Sequence, residues 1–285
     1  MPRKPAITMV GPGSLGSAMA RALHAAGYRV QEIVHRGGTS AKRARALARE
    51  IGAHDVVTGE ARFNAGIVWI CVGDSTIAAC AAELTPLARW VGKIVFHSSG
   101  ALSSRELKRF KRRGAAVASV HPMMTFVRNV RPELKGVTFA VEGDARAVRA
   151  ARRIAHDLGG CAVQIDARRK PMYHAFGAFT SPLIVATIAA AEQVARKAGL
   201  DQVSARAAIA PILRQTVANY FQRGPGGAFS GPLVRGDVET VRRHLEVLQA
   251  LPEARAAYVA LARSALKTLP VKKKKDIAKL LEKEA

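Results

Sequence analysis

The chain has 285 residues, of which 49% are hydrophobic and 5% aromatic, and its formal net charge is +24 at neutral pH. This length can bury a large core and predicts two domains. The chain contains no run of 18 apolar residues, so no membrane span is predicted. Three scattered cysteines lack metal-ligand spacing and the N-terminus lacks the apolar segment of a secretory signal, so we expect a cytoplasmic protein without a metal site.

The positive charge is spread along the chain. Many basic residues fall on polar helix faces, as in residues 41–49, and the one continuous block, residues 272–275, predicts a solvated tail. Diffuse charge of this kind argues against nucleic acid as a partner. It favours small anionic ligands, such as phosphorylated cofactors and carboxylate substrates.

A strand, a glycine-rich loop and a helix open the chain. Residues 6–10 form a short apolar run, the segment Gly11-Pro12-Gly13-Ser14-Leu15-Gly16 follows, and residues 17–26 are rich in helix formers. In this order the pattern predicts a dinucleotide phosphate site, because its glycines allow a tight turn, close approach of a pyrophosphate and close helix packing. We expect cofactor contacts from Gly11, Gly13, Ser14, Leu15 and Gly16.

The end of the second predicted strand, residues 28–34, bears on the choice of dinucleotide. An acidic residue usually holds the ribose 2′-hydroxyl of NAD at this place, but the chain reads His35-Arg36. Arg36 can stack on adenine and pair with a 2′-phosphate, and Ser40 and Arg43 can add contacts. The sequence therefore predicts NADP(H) bound by His35, Arg36, Ser40 and Arg43; the alternative for Arg36 is a surface arginine in a loop.

Strands and helices continue to alternate up to residue 166. Further strands are predicted over residues 67–72, 93–96, 115–120, 137–141 and 161–165. One helix is predicted to begin at a cap formed by Asp74 or Ser75, a second at a Ser103 cap with Glu106 in a capping box, and a third spans residues 145–158. This alternation is typical of a doubly wound, mostly parallel sheet with right-handed connections. The fold class is therefore α/β, with a Rossmann domain over residues 1–166.

From residue 167 onward the sequence shows only helical periodicity. Residues 172–198 predict one long helix kinked at Pro182, and three shorter helices are predicted over residues 204–220, 238–248 and 252–266, with a loop at 223–227 and Asp237 as a cap. We expect an all-helical domain over residues 167–285. Its apolar and small-residue faces exceed what one bundle needs, which predicts a homodimer formed through this domain.

Polar residues follow several predicted strands at the sheet edge where ligands bind. Val72-Gly73 and Ser99 are expected to line the cofactor cleft, and His121 can protonate a carbonyl or imine. The alternatives are a loop with a helix cap around Ser99 and a histidine that only bonds a backbone carbonyl.

Two further segments lie in the helical part. His174 shares a helix face with Gly177 and Ser181 and is a second candidate acid, unless it is a satisfied interdomain histidine. Arg235, in a stiff Gly-Pro loop before Asp237, can bind a substrate carboxylate.

Taken together, these motifs resemble a Rossmann-like family that carries the domain of unknown function numbered 2520 and is related to pyrroline-5-carboxylate reductase and to F420-dependent NADP oxidoreductases. The resemblance spans residues 10–250 and rests on Gly11 to Gly16, Val72-Gly73-Asp74, His97-x-Ser99-Gly100-Ala101-Leu102, Ser119-x-His121-Pro122, Glu142-Gly143-Asp144, Tyr173-His174-Ala175 and Gly231-Pro232-x-x-Arg235-Gly236-Asp237. It implies a dinucleotide-binding oxidoreductase whose helical C-terminal domain is similar to that of 6-phosphogluconate dehydrogenase. It also makes the reduction of a 2-oxo acid such as ketopantoate a reasonable expectation.

One departure concerns lysine. β-Hydroxyacid dehydrogenases place a catalytic lysine on the first long helix of the second domain, but residues 172–198 contain no lysine before Lys197. We therefore do not carry that mechanism over, and expect His121, His174 or water to supply the proton.

The sequence thus predicts hydride transfer from NADPH to a small carbonyl or imine that bears a carboxylate. The candidate catalytic residues are His121, His174 and Ser99, and the candidate substrate-binding residues are Ser181 and Arg235. The alternative function is a non-catalytic NADP-binding protein that senses redox state.

Overall fold

The computed structural model describes residues 4–128 and 130–282, and the chain divides into two compact units, Met1–Ala178 and Phe179–Ala285. The first unit extends beyond residue 166, the boundary expected from the sequence. It includes the first turns of a helix that begins at Lys170.

An eight-stranded sheet forms the centre of the described part of the first unit. Its strands are β1 Ile7–Val10, β2 Val30–His35, β3 His54–Val57, β4 Ile67–Ile70, β5 Ile94–His97, β6 Ala116–Pro122, β7 Thr138–Gly143 and β8 Cys161–Gln164. Their order is β3-β2-β1-β4-β5-β6-β7-β8, and neighbouring strands are parallel except for β6 and β7. This confirms the predicted doubly wound sheet, and the carboxyl ends of β1, β2, β4, β5 and β6 share one edge.

Both faces of the sheet are buried at its centre, because alternate residues of the central strands pack into different apolar clusters. In β4, Trp69 belongs to one cluster, whereas Val68 and Ile70 belong to the other. The continuous apolar run that indicated a doubly buried strand was therefore interpreted correctly, although the strand ends at Ile70 and leaves Cys71-Val72-Gly73 in the loop. Strand β3 was not predicted, because it is a four-residue edge strand with mostly exposed side chains and no apolar run.

The helices of the first unit are α1 Ser14–Ala25, α2 Thr39–Ile51, α3 Asp74–Leu84, α4 Lys108–Arg112 and α5 Ala145–Asp157, and α6 Lys170–Thr180 continues into the second unit. One predicted cap is wrong, because Gly73 and not Asp74 or Ser75 occupies the N-cap of α3. Ser103 occupies the predicted N-cap position of the next helical segment but makes no side-chain cap bond. Glu142 instead accepts hydrogen bonds from the backbone and hydroxyl of Ser104.

The second unit contains α7 Pro182–Lys197, α8 Gln202–Ala228, α9 Pro232–Arg235, α10 Val238–Val247, α11 Pro252–Thr268 and α12 Lys274–Glu282. Asp237 caps α10 as predicted, because its carboxylate accepts from the Thr240 backbone. The predicted loop at 223–227 instead lies within α8, which leaves helical geometry at Gly224. The predicted solvated tail holds only for the four lysines, since Ile277 and Leu281 of α12 are buried in the core of this unit.

The predicted long helix over residues 172–198 is interrupted. Ser181 has φ −136° and ψ −85°, so Pro182 begins a new helix and does not kink a continuous one. Residues 167–197 are long enough to cross a membrane and contain an 18-residue window that is apolar enough, with a mean hydropathy of 1.4. The break divides them into helices of 11 and 16 residues, and each is shorter than the roughly 20 residues that a span requires.

Candidate functional site

The glycine loop aims the N-terminus of α1 at the edge of the sheet. Gly11 has φ +93°, and a Cβ there would lie 2.6 Å from the Cys71 carbonyl oxygen. A Cβ on Gly16 would lie 2.1 Å from the Gly11 oxygen, so neither position admits a side chain. The predicted tight turn and close helix packing are both present. No protein atom lies within 4 Å of a Cβ built on Gly13, so the space there is open.

The first turn of α1 is suited to an anion. The helix begins at Ser14, three residues earlier than expected, so Ser14, Leu15 and Gly16 belong to that turn. It carries no acidic residue and its N-cap has no side-chain hydrogen bond, which leaves backbone N–H groups for a ligand.

Eight predicted cofactor residues line one cavity of about 270 Å³ beside this turn. They are Gly11, Gly13, His35, Arg36, Ser40, Arg43, Val72 and Gly73. Ser14 lines a neighbouring cavity of about 360 Å³, with Arg21, Arg43, Arg128 and Arg131. A residue that the sequence did not indicate, Glu83 at the end of α3, also lines the first cavity.

The loop after β2 is held by its own hydrogen bonds. His35 Nδ1 accepts from the Gly37 backbone N–H at 3.0 Å, and Ser40 Oγ donates to the Gly37 oxygen at 2.6 Å. Arg36 forms an ion pair with Glu83, with Nη2 and Oε2 2.9 Å apart. Arg36, the residue predicted to bind the 2′-phosphate of NADP(H), is therefore already paired with a carboxylate.

The Ser99 hydroxyl shapes the loop after β5. Its Oγ donates to Asp74 at 2.8 Å and accepts from the Leu102 backbone N–H at 2.8 Å and from that of Ala101 at 3.2 Å. The side chain is buried, and its bonds join this loop to the start of α3 as well as to its own backbone. Ser99 thus holds the loop in place, and its hydroxyl is already committed.

His97, the last residue of β5, is hydrogen-bonded to the backbone of the same loop through both ring nitrogens. Its Nδ1 accepts from the Ser99 backbone N–H, which leaves Nε2 to donate to the Ser103 oxygen at 3.0 Å. Burial lowers the pKa of His97 to about 4, so this histidine is neutral at physiological pH.

The two predicted acids, His121 and His174, come together over Gly100. Their ring centroids are 6.2 Å apart, and the His121 ring is also in edge contact with Tyr173 at 5.6 Å. His121 Nδ1 lies 3.0 Å from Tyr173 Oη. A Cβ on Gly100 would lie 2.9 Å from His121 Nε2 and 2.7 Å from His174 Cδ2, so only glycine leaves this space open.

His121 and Tyr173 are both neutral at physiological pH. Burial, followed by the charges of Lys170 and His174, lowers the pKa of His121 to about 4. A proton that His121 donates at neutral pH therefore comes from a neutral ring N–H. Burial also raises the pKa of Tyr173 to about 12, so its phenol stays protonated.

Lys170 is a functional candidate that the sequence analysis missed. Its side chain is fully buried at the start of α6, where Nζ donates to the Ser99 oxygen at 2.9 Å and to Ser119 Oγ at 2.7 Å. Burial lowers its pKa to about 8. The helix was expected to begin at Met172, which excluded Lys170, although its i, i+3, i+4 spacing to Tyr173 and His174 indicates a shared face.

Two predicted substrate residues lie in the second unit. Ser181 occupies the break before α7, so the helical face expected to join it to His174 and Gly177 is interrupted there. Arg235 is the exposed last residue of α9. Among the described residues, no carboxylate lies within ion-pair distance of its guanidinium.

Comparison with known proteins places this site in a family context. Residues 2–122 match the Rossmann-like domain, and residues 137–265 match the domain of unknown function DUF2520. No curated protein sequence is detectably similar to the chain.

Solved structures share the fold at low identity. A Bacteroides fragilis protein described as an NADP oxidoreductase has a TM-score of 0.77 at 22% identity, covering 92% of this chain and 98% of its own. An Aspergillus terreus reductive aminase in complex with NADPH has a TM-score of 0.66 at 17% identity, covering 96% and 99%. A Coxiella burnetii pyrroline-5-carboxylate reductase has a TM-score of 0.60 at 14% identity, covering 91% and 98%. The chain therefore matches a Rossmann-like domain model followed by a DUF2520 model, which confirms the two domains that its motifs resembled.

Proposed function

We propose that this protein is an NADP(H)-dependent oxidoreductase that reduces a small carbonyl or imine bearing a carboxylate, such as a 2-oxo acid. The observation that carries the proposal is the hydrogen-bonded pair of His121 and Tyr173 above Gly100, on the same sheet edge as the glycine loop. The fold is shared with an NADP oxidoreductase and with a reductive aminase in complex with NADPH.

The residues around the first cavity fit a phosphorylated dinucleotide. The open space at Gly13 and the uncapped first turn of α1 suit its diphosphate, and Arg36, Ser40 and Arg43 suit an adenosine with a 2′-phosphate. When bound, this cofactor supplies the hydride.

In the proposed mechanism His121 supplies the proton as a neutral donor. With Nδ1 accepting from Tyr173, Nε2 carries a hydrogen and faces the space above Gly100. It donates to the substrate oxygen or nitrogen and transfers its proton there as the reduced carbon forms. Water then returns a proton to Nε2, while the Tyr173 hydroxyl keeps donating to Nδ1, so the starting tautomer of His121 is restored. Exposed His174 lines the same space and is the second candidate donor.

Lys170 is proposed to act through charge. Its Nζ is hydrogen-bonded to Ser99 and Ser119, and its ammonium group lies close enough to lower the pKa of His121. The same positive charge stabilises the negative charge that develops on the His121 ring when it gives up its proton. We therefore assign Lys170 as a positioning and electrostatic residue.

Substrate selection is assigned to the second unit. Arg235 is proposed to bind the substrate carboxylate, because guanidinium pairs with carboxylate in a bidentate manner and this one is exposed. Ser181, where the backbone leaves the helix, is proposed to add a hydroxyl contact.

A second copy of the chain is the proposed partner. The 27-residue helix α8 has one buried residue, Ala205, whereas Ile212, Val217 and Phe221 are exposed, the last at 81%. Such a helix needs an apolar partner surface, and a homodimer provides one. Light scattering should then give twice the chain mass of 30.4 kDa. Ile212→Asp should give monomers, and the control Val91→Asp, at an exposed site in the first unit, should not.

The test of function is a turnover assay with NADPH against a panel of 2-oxo acids and of imines formed from keto acids and ammonia. We expect NADPH oxidation with at least one member, and loss of turnover in a protein with both His121→Asn and His174→Asn. Tight NADPH binding without turnover across the panel would support the redox-sensing alternative. Unchanged turnover in the double variant would overturn the mechanism.

A further inference from the structure

The ion pair between Arg36 and Glu83 places a carboxylate inside the cofactor cavity. Arg36 follows β2 and Glu83 lies in the last turn of α3, yet Nη2 and Oε2 are 2.9 Å apart. Both side chains line the cavity of about 270 Å³ that also contains His35, Ser40 and Arg43. Glu83 is the only acidic residue among the described residues lining it.

This carboxylate restores a feature that the sequence lacks at its usual place. Rossmann sites that prefer NAD carry an acid at the end of the second strand, where it accepts from the ribose 2′-hydroxyl. His35 and Arg36 occupy that position here, and His35 Nδ1 is already used by the Gly37 backbone. An acid from a different element, α3, reaches the same cavity.

The pair has two opposing effects on a 2′-phosphate. Glu83 orders the Arg36 side chain, which favours phosphate binding, but both side chains are well exposed, at 56% and 41%, and exposed ion pairs order their partners weakly. Glu83 also repels a phosphate that carries nearly two negative charges at neutral pH. Because a phosphate held by Arg36 would lie close to the Glu83 carboxylate, we expect repulsion to exceed the ordering effect.

We propose that Glu83 sets the cofactor selectivity of this protein by opposing the 2′-phosphate that Arg36 attracts and by accepting from the free 2′-hydroxyl of NADH. The proposal rests on the dinucleotide binding proposed above. The preference for NADPH over NADH is then smaller than Arg36, Ser40 and Arg43 alone would produce.

The experiment measures dissociation constants of NADPH and NADH for the full chain and for Glu83→Gln, by titration of nicotinamide fluorescence at low and high salt. Glutamine keeps the size of the side chain and removes its charge. We expect the ratio of the NADH constant to the NADPH constant to rise about fivefold or more at low salt, through tighter NADPH binding and weaker NADH binding. High salt should reduce the gain in NADPH affinity caused by Glu83→Gln, because salt screens the repulsion between exposed charges.

Two further variants complete the design. Glu50→Gln removes an exposed carboxylate that pairs with Arg21 and Arg131 and does not line the first cavity, so its ratio should match that of the full chain. Arg36→Gln should lower the ratio, because it removes the group that attracts the phosphate.

The outcomes separate the two proposals. An unchanged or lower ratio in Glu83→Gln, or weaker NADPH binding, would show that Glu83 chiefly orders Arg36, and would overturn the selectivity role while leaving the proposed function intact. If the unaltered chain binds neither dinucleotide, the proposed function fails, and the selectivity role fails with it.

Discussion

Tyr173 Oη lies 3.0 Å from Nδ1 of His121, a residue 52 positions earlier in the chain. The first belongs to α6 and the second to β6, so the bond joins a helix to the edge of the sheet. It orients the His121 ring with Nε2 toward Gly100, and the chemistry proposed for the site depends on that orientation.

Tyr173→Phe should lower turnover about tenfold and His121→Asn by about 10²–10³-fold, with the NADPH dissociation constant unchanged. The phenol orients the donor, whereas the imidazole supplies the proton. Steady-state kinetics and cofactor titration check both values.

The second unit offers a matched control for this pair. His244 and Tyr258 form a similar pair, with Nδ1 and Oη 3.2 Å apart and ring centroids 5.9 Å apart. Tyr258→Phe should leave turnover within twofold of the unaltered chain. Equal losses in the two phenylalanine variants would contradict a specific role for Tyr173.

Gly100→Ala should abolish most turnover while leaving cofactor binding intact. The added methyl group would lie within 3 Å of both histidine rings and must displace them. Gly59→Ala is the control, because a Cβ there meets no atom within 4 Å. Full activity of Gly100→Ala would mean that the space above Gly100 is not where substrate reacts.

The pH profile should report Lys170. Its ammonium group loses its proton near pH 8, so kcat should fall as the pH rises through that value. At the acid end, activity should fall only near pH 4, where His121 gains a proton on Nδ1 and loses the hydrogen bond from Tyr173 that orients its ring. The flat region between these limits is the range in which His121 is neutral and Lys170 is charged.

Lys170→Met should lower kcat about a hundredfold and remove the alkaline limb of the profile. It should also move the acid limb to higher pH, because the nearby positive charge that lowers the pKa of His121 is gone. A protein that lost activity only through misfolding would show neither shift. An acid limb that stays in place would contradict the electrostatic role.

His97 should make the protein less stable in mild acid. Its pKa is about 4 when folded and near 6.5 when unfolded, so between these values the unfolded chain binds a proton that the folded chain does not. The free energy of unfolding should therefore fall as the pH drops from 6.5 to 4, by up to about 3 kcal/mol from this residue. Urea denaturation at pH 7 and pH 5 measures the change.

His97→Gln should reduce that pH dependence even if it lowers stability at both pH values. His24→Gln, at an exposed position in α1, should keep the full dependence. If both variants respond to acid as the unaltered chain does, another group controls acid stability.

Motifs that are contiguous in the sequence predicted much of the fold of the first unit. The strand, glycine loop and helix are contiguous, so the residues that make the turn are also the residues that reveal it. The ends of the longer strands were predicted well enough to place His121 and Ser99 on the ligand-binding edge. Caps were predicted poorly, since Asp74 bonds to Ser99 across 25 positions and not to its own helix.

What the sequence by itself determined is the class of site: a parallel sheet edge with a glycine loop, an arginine in place of the usual acid, and histidines at the strand ends, although His121 lies within β6 and not after it. What only the tertiary structure decided is the state of those groups. Lys170 bonds to Ser99 across 71 positions, and Arg36 pairs with Glu83 across 47. Such distant contacts determine burial and neighbouring charge, which keep His121 neutral and lower the pKa of Lys170 to about 8. They also bring the Glu83 carboxylate beside Arg36.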